Sequence, residues 1–142
     1  MKISQTIKKG ETLADKVNNI LSMKVDMIVM RHPSPGASVF LSKNVNSCII
    51  NAGDGCHEHP TQALLDAFTL KSKLKDFSNK NILIVGDILH SRVALSNILV
   101  FKKLGANVKV CGPLSLIPKY IKTLGVEYES SLENGLKWCH VA

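Results

Sequence analysis

The chain has 142 residues, 45% of them hydrophobic, and a net charge of +7 from 18 lysines and arginines against 11 acids; that length suits roughly one domain of ~100 to 200 residues and supplies enough apolar material for a core. No run approaches the ~18 apolar residues of a membrane span, the N-terminus lacks the apolar stretch of a signal peptide, and four dispersed cysteines without a CxxC pair argue against a disulfide framework or a four-cysteine zinc site. The basic excess is almost all lysine with few aromatics, which argues against a nucleic-acid surface and suits a small anionic ligand in the cytoplasm.

In chain order, a helix follows the KKGE segment. Thr12 and Asp15 have the spacing of a capping box, and Leu13, Val17, Ile20 and Leu21 share one face. Residues 25–30 read as a short strand that runs into RHPSPG, where two prolines and a glycine oppose regular structure. Residues 47–50 read as a buried strand, followed by the turn-forming NAGDG and a helix from Pro60 to about residue 74. Leu64, Ala67, Phe68 and Leu74 are its expected apolar stripe, and the lysine-rich KSKLKDFSNKN after it is the expected linker.

Residues 82–87 form the next expected strand, and SRVALSNILVFKKLG a helix with Ala94, Ile98 and Phe101 on one side and Gly105 as its stop. NVKVCGP is a further strand, LIPKYIKTLG a short helix closed by Gly125, and VEYES a last short strand. The terminal WCHVA has the look of a strand just beginning, as if the chain were cut inside a fold. This alternation predicts an α/β fold of parallel sheets flanked by helices.

Only two arginines, Arg31 and Arg92, stand against sixteen lysines. With lysine as the general solubilising cation, arginine is expected where a planar fork must hold a carboxylate, phosphate or carbonyl oxygen. In open α/β sheets ligands bind outside the carboxyl ends of strands, near helix N-termini. Three polar clusters fall there: Arg31 with His32, residues 53–62, and residues 87–92. In HPTQ, Pro60 suits the first helical position, so His59 stands at the cap and Gln62 three residues on overhangs the same spot. Arginine, imidazole and amide together would receive a polarised carbonyl.

Each of these residues also has a plainer role: a surface ion pair for Arg31, helix capping for His59 and Gln62, a solvated first turn for Arg92. Cys56, His57 and His59 lack metal-ligand spacing, so no metal is expected. IVGDILHS follows a strand but lacks GxGxxG, which leaves a nucleotide-binding or non-catalytic interaction module as the reading from a different class. His32 and His90 are expected to fix loops, and Asp54 and Asp87 to serve turns rather than form a catalytic pair.

KKGETLAD, VMRHP, NAGDGCHEHPTQALLDAFT and VGDILHSRVALSN resemble the aspartate carbamoyltransferase family along nearly the whole chain. HPTQ is shared with ornithine carbamoyltransferases, the alternative within the superfamily, whereas MRHP, NAGDG and GDILHSR are similar to the aspartate branch. The resemblance implies parts of two Rossmann-like half-domains joined by a connecting helix. Residues 1–74 would hold the second half of the carbamoyl-phosphate domain plus that helix, and 75–142 the first half of the aspartate domain.

It also implies carbamoyl phosphate and L-aspartate as substrates in pyrimidine synthesis, no cofactor, and a homotrimer; association with regulatory subunits is left open. Arg31 and His59 would contact the carbamoyl carbonyl oxygen, Gln62 the carbamoyl amino group, and Arg92 a carboxylate of aspartate. Lys9 would reach into a neighbouring subunit's site, although Gln5 stands where the family usually has a serine. The family's phosphate-binding segment and second aspartate loop have no counterpart, so the 142-residue chain alone is expected to lack transferase activity.

Overall fold

The computed structural model describes residues 2–3 and 12–142; Gln5 and Lys9 lie outside the described residues. The chain forms two compact units, residues 1–59 and 60–142.

In the first unit, strands β1 (Lys2–Ile3), β2 (Met27–His32) and β3 (Cys48–Asp54) make a parallel sheet in that order. Helix α1 (Leu13–Leu21) begins at the expected box: the Asp15 N–H donates to Thr12 Oγ1 at 3.2 Å and the Thr12 N–H donates to Asp15 Oδ2 at 3.0 Å. Val17, on its inner face, is buried with Ile28, Met30 and Leu41, and Leu13, Ile20 and Leu21 pack around them. Burial alternates along β2, with Ile28 and Met30 inward and Met27, Val29 and Arg31 outward, as a period-two strand requires.

Two expectations in this unit need correction. β2 continues through Arg31 and His32, because pairing with β3 supplies ladder partners up to His32 opposite Asp54. β3 likewise runs through Asn51–Asp54, residues whose composition suggested a turn, and the turn proper starts at Gly55. Helix α2 (Ala37–Asn44) is an element that the sequence pattern does not predict. Ala37 and Leu41 face the core, but exposed Val39 and Phe40 blur the helical period, and the N-cap is Gly36 with no side-chain cap.

The second unit opens with α3 (Pro60–Leu74), at the expected bounds. Its buried side is Ala63, Ala67, Leu70 and Leu74, whereas the expected Leu64 and Phe68 point outward, 62% and 75% exposed. The lysine-rich segment after it is no loose linker: Phe77 is buried and stacks on Phe101 with ring centroids 5.9 Å apart.

Strands β4 (Asn81–Val85), β5 (Asn107–Cys111) and β6 (Glu127–Glu129) form a second parallel sheet in that order. Helix α4 (Arg92–Lys103) buries Ala94, Ile98 and Phe101 as expected, starting at a Ser91 cap that accepts from the Ala94 N–H at 3.1 Å. The expected helix before Gly125 is instead two 3-10 turns, Leu114–Leu116 and Ile121–Leu124, because Pro118 between them cannot continue a helix. Helix α5 (Leu132–Trp138) completes the set. Val141 forms an isolated parallel bridge to Ile82 of β4, and its carbonyl accepts from the Leu83 N–H at 2.9 Å.

Candidate functional site

The carboxyl edge of the first sheet is organised by one buried acid. Asp54 is fully buried, yet its carboxylate collects donors from three segments. The Gly36 N–H reaches Oδ2 at 2.8 Å, the Glu58 N–H and Asn51 Nδ2 reach Oδ1 at 3.0 and 3.2 Å, and His57 Nδ1 lies 3.3 Å from Oδ2. Burial pushes the Asp54 carboxyl up, but the hydrogen bonds from Asn51, Gly36, His57 and Glu58 outweigh it and hold the group below the usual carboxylate range. The main chain closes the same loop, with the Asp54 N–H donating to Glu58 O at 3.0 Å. Residues 55–58 are thereby tied to the start of α2, and His59 follows directly from this clamped turn.

Arg31 reaches the same edge from β2. The register runs from Met30 opposite Asn51 to His32 opposite Asp54, so Ala52 and Gly53 of β3 stand across from Arg31 alone. Such a bulge re-aims the side chain at a strand end. Arg31 is exposed near the end of β2, and half-buried His59 follows the bridge of Glu58 to Asp54 that closes the turn after β3. His32 fixes its own loop, its Nδ1 accepting from the Ser34 N–H at 3.0 Å.

Gly55 locks the two loops together. Its φ is +52°, its N–H donates to His32 O at 2.8 Å, and a Cβ there would lie 2.6 Å from Pro33 O. Alanine meets both a left-handed backbone penalty and a backbone clash, so Gly55→Ala is expected to destabilise the chain by about 2 kcal/mol or more. Urea unfolding measures this as a lowered midpoint.

In the second unit, Gln62 lies in the first turn of α3 and is half-buried. Its Nε2 donates to Asp66 Oδ1 at 2.9 Å, and Asn97 Nδ2 on α4 donates to Asp66 Oδ2 at 2.9 Å. Asn97 Oδ1 is buried and has no hydrogen-bond partner among the described residues, a condition that costs about 1 to 3 kcal/mol. Asp66 and Asn97 are not among the sequence-predicted site residues. The available signal was the four-residue spacing of Gln62 and Asp66 on one helix face.

Arg92 is the first residue of α4, half-buried, just beyond the carboxyl end of β4. Asp87 and His90 brace the turn before it, His90 Nδ1 lying 2.9 Å from Asp87 Oδ2. Hydrogen bonding to the side chain and backbone N–H of His90 holds the Asp87 carboxyl below its ordinary value.

Comparison with known proteins adds a family to this geometry. Residues 1–72 match the profile of the aspartate/ornithine carbamoyltransferase carbamoyl-P binding domain. The chain belongs to the aspartate/ornithine carbamoyltransferase family.

Within that family it is 69% identical over 139 residues to the aspartate carbamoyltransferase catalytic subunit of Flavobacterium psychrophilum and 66% identical to that of Christiangramia forsetii, each alignment covering 98% of this chain and 45% of the relative. The chain thus spans about half the length of the curated relatives it matches. Aspartate transcarbamoylase from Trypanosoma cruzi, solved with aspartate and phosphate, superposes with a TM-score of 0.73 at 32% identity over 87% of this chain and 43% of that one. The catalytic subunit of M. Jannaschii aspartate transcarbamoylase gives 0.73 at 35% identity, covering 88% and 43%. No helix among the described residues is long and apolar enough to cross a membrane.

Proposed function

We propose that the chain is part of an aspartate carbamoyltransferase, which transfers the carbamoyl group of carbamoyl phosphate to the amino group of L-aspartate, giving N-carbamoyl-L-aspartate and phosphate. In this reading residues 1–74 belong to the carbamoyl-phosphate domain with its connecting helix, and 75–142 to the aspartate domain. The enzyme works in the cytoplasm as a homotrimer, without a cofactor. The observation that carries the reading is the similarity to aspartate carbamoyltransferase catalytic subunits over 98% of the chain, supported by the Asp54 clamp that ties the turn before His59 to the start of α2.

The chemistry follows from the donor set. As the aspartate amine attacks the carbamoyl carbon, a C–N bond forms and negative charge gathers on the carbonyl oxygen. Arg31 and His59 donate to that oxygen and stabilise the charge without a covalent intermediate. When the oxygen re-forms its double bond, the carbon–oxygen bond to phosphate breaks, phosphate leaves, and the nitrogen loses its proton. Gln62 accepts from the carbamoyl amino group. Arg92, an arginine fork at a helix start, holds a carboxylate of aspartate. Lys9 acts in the site of a neighbouring subunit.

Ornithine is the competing acceptor, because HPTQ occurs in both branches. The test is to complete the chain with the flanking segments of the Flavobacterium psychrophilum relative and to assay aspartate and ornithine side by side. Carbamoylation of aspartate in preference to ornithine is expected; preference for ornithine overturns the assignment.

A further inference from the structure

We propose that Asp66 is a positioning residue that fixes which end of the Gln62 amide meets the substrate, and so selects a carbamoyl group over an isosteric acyl group. The inference rests on the carbamoyl transfer proposed above. A carboxylate only accepts hydrogen bonds, so the end of Gln62 that lies 2.9 Å from Asp66 Oδ1 has to be its amino group. The opposite end of a planar amide is then its carbonyl oxygen, an acceptor. A carbamoyl group differs from an acetyl group by an NH2 where the latter has a methyl, and an oriented acceptor tells those two apart.

Asn97 supports the assignment independently. It holds the other oxygen of Asp66 from α4 at 2.9 Å, and in doing so leaves its own Oδ1 buried without a partner among the described residues. A leucine there would bury no orphaned oxygen. An asparagine kept at that disadvantage is accounted for by its hold on Asp66, which keeps the carboxylate from turning away from Gln62.

The measurement is the ratio of kcat/KM for carbamoyl phosphate to that for acetyl phosphate, with aspartate as acceptor, in the completed enzyme. In Asp66→Asn the new amide can turn either its oxygen or its nitrogen toward Gln62, so the orientation is no longer enforced. The ratio is expected to fall by about tenfold, and the same substitution in a Gln62→Met background is expected to change it no further. A fall of equal size for both substrates, with the ratio intact, overturns the inference, because that is what a merely structural residue does. Should Asp66→Asn fail to fold, Asn97→Leu reads the same ratio, and an unchanged value there overturns it equally. A parent enzyme that transfers carbamoyl groups normally while the variants keep its ratio refutes this inference alone; a parent without carbamoyl transfer refutes the underlying activity and this inference with it.

Discussion

Asp54→Ala is expected to destabilise the chain by roughly 3 to 5 kcal/mol, the range for removing one partner of a buried charged network. The side chain is fully buried, and its loss strands the Gly36 and Glu58 N–H groups and the Asn51 amide, all of which now donate to it. Thermal and urea unfolding of the 142-residue chain measure the loss; a midpoint close to that of the parent would show that the clamp contributes little. Asp54→Asn keeps the shape but turns an amide nitrogen toward at least one of those donors, so it is expected to fall between the two.

The same carboxylate makes the clamp acid-sensitive. Its pKa is lower in the folded chain than in the unfolded one, so the unfolded chain binds more protons in the window between the two values, and stability rises with pH there. The contribution is fully present above the ordinary carboxylate range. It is lost as pH falls through the depressed folded value. In Asp54→Asn this part of the acid dependence is expected to disappear, so the unfolding midpoints of variant and parent should draw together as the pH is lowered.

Arg31→Ala, made in the completed enzyme, is expected to lower kcat by about 10² to 10³, the usual loss when one donor to a developing oxyanion is removed. Arg31 is exposed at the end of β2, so the loss should appear in turnover with little change in unfolding midpoint. Arg31→Lys keeps the charge without the planar fork and should recover only part of the rate. His59→Ala should behave similarly, and the double variant should cost less than the sum, since both donors serve one oxygen. A kcat within a few-fold of the parent for Arg31→Ala would remove it from the reaction.

Much of this architecture could be read before any coordinates. The Thr12–Asp15 box, the bounds of α3, the inner face of α4 and most of the strands at 81–85 and 107–111 follow from local rules, because capping, proline placement and hydrophobic period act within a few residues. The position of Arg31 at a strand end and of His59 beside a helix-starting proline was equally local.

Other features depended on what lies opposite. NAGD has turn-like composition, yet it extends β3 because β2 offers a parallel partner. The periodicity of α3 could not choose between Leu64 with Phe68 and Ala63 with Leu70, since both sets are apolar and only the packing neighbour separates them. Local pattern therefore determined where α1 starts, the bounds of α3 and the buried face of α4, and which polar groups stand near a strand end. Tertiary structure alone decided that Asp54 takes the Gly36 N–H across 18 residues, and that Asn97 meets Asp66 across 31. Such carboxylate contacts form only when segments distant in the chain are packed together, and no spacing along one segment encodes them.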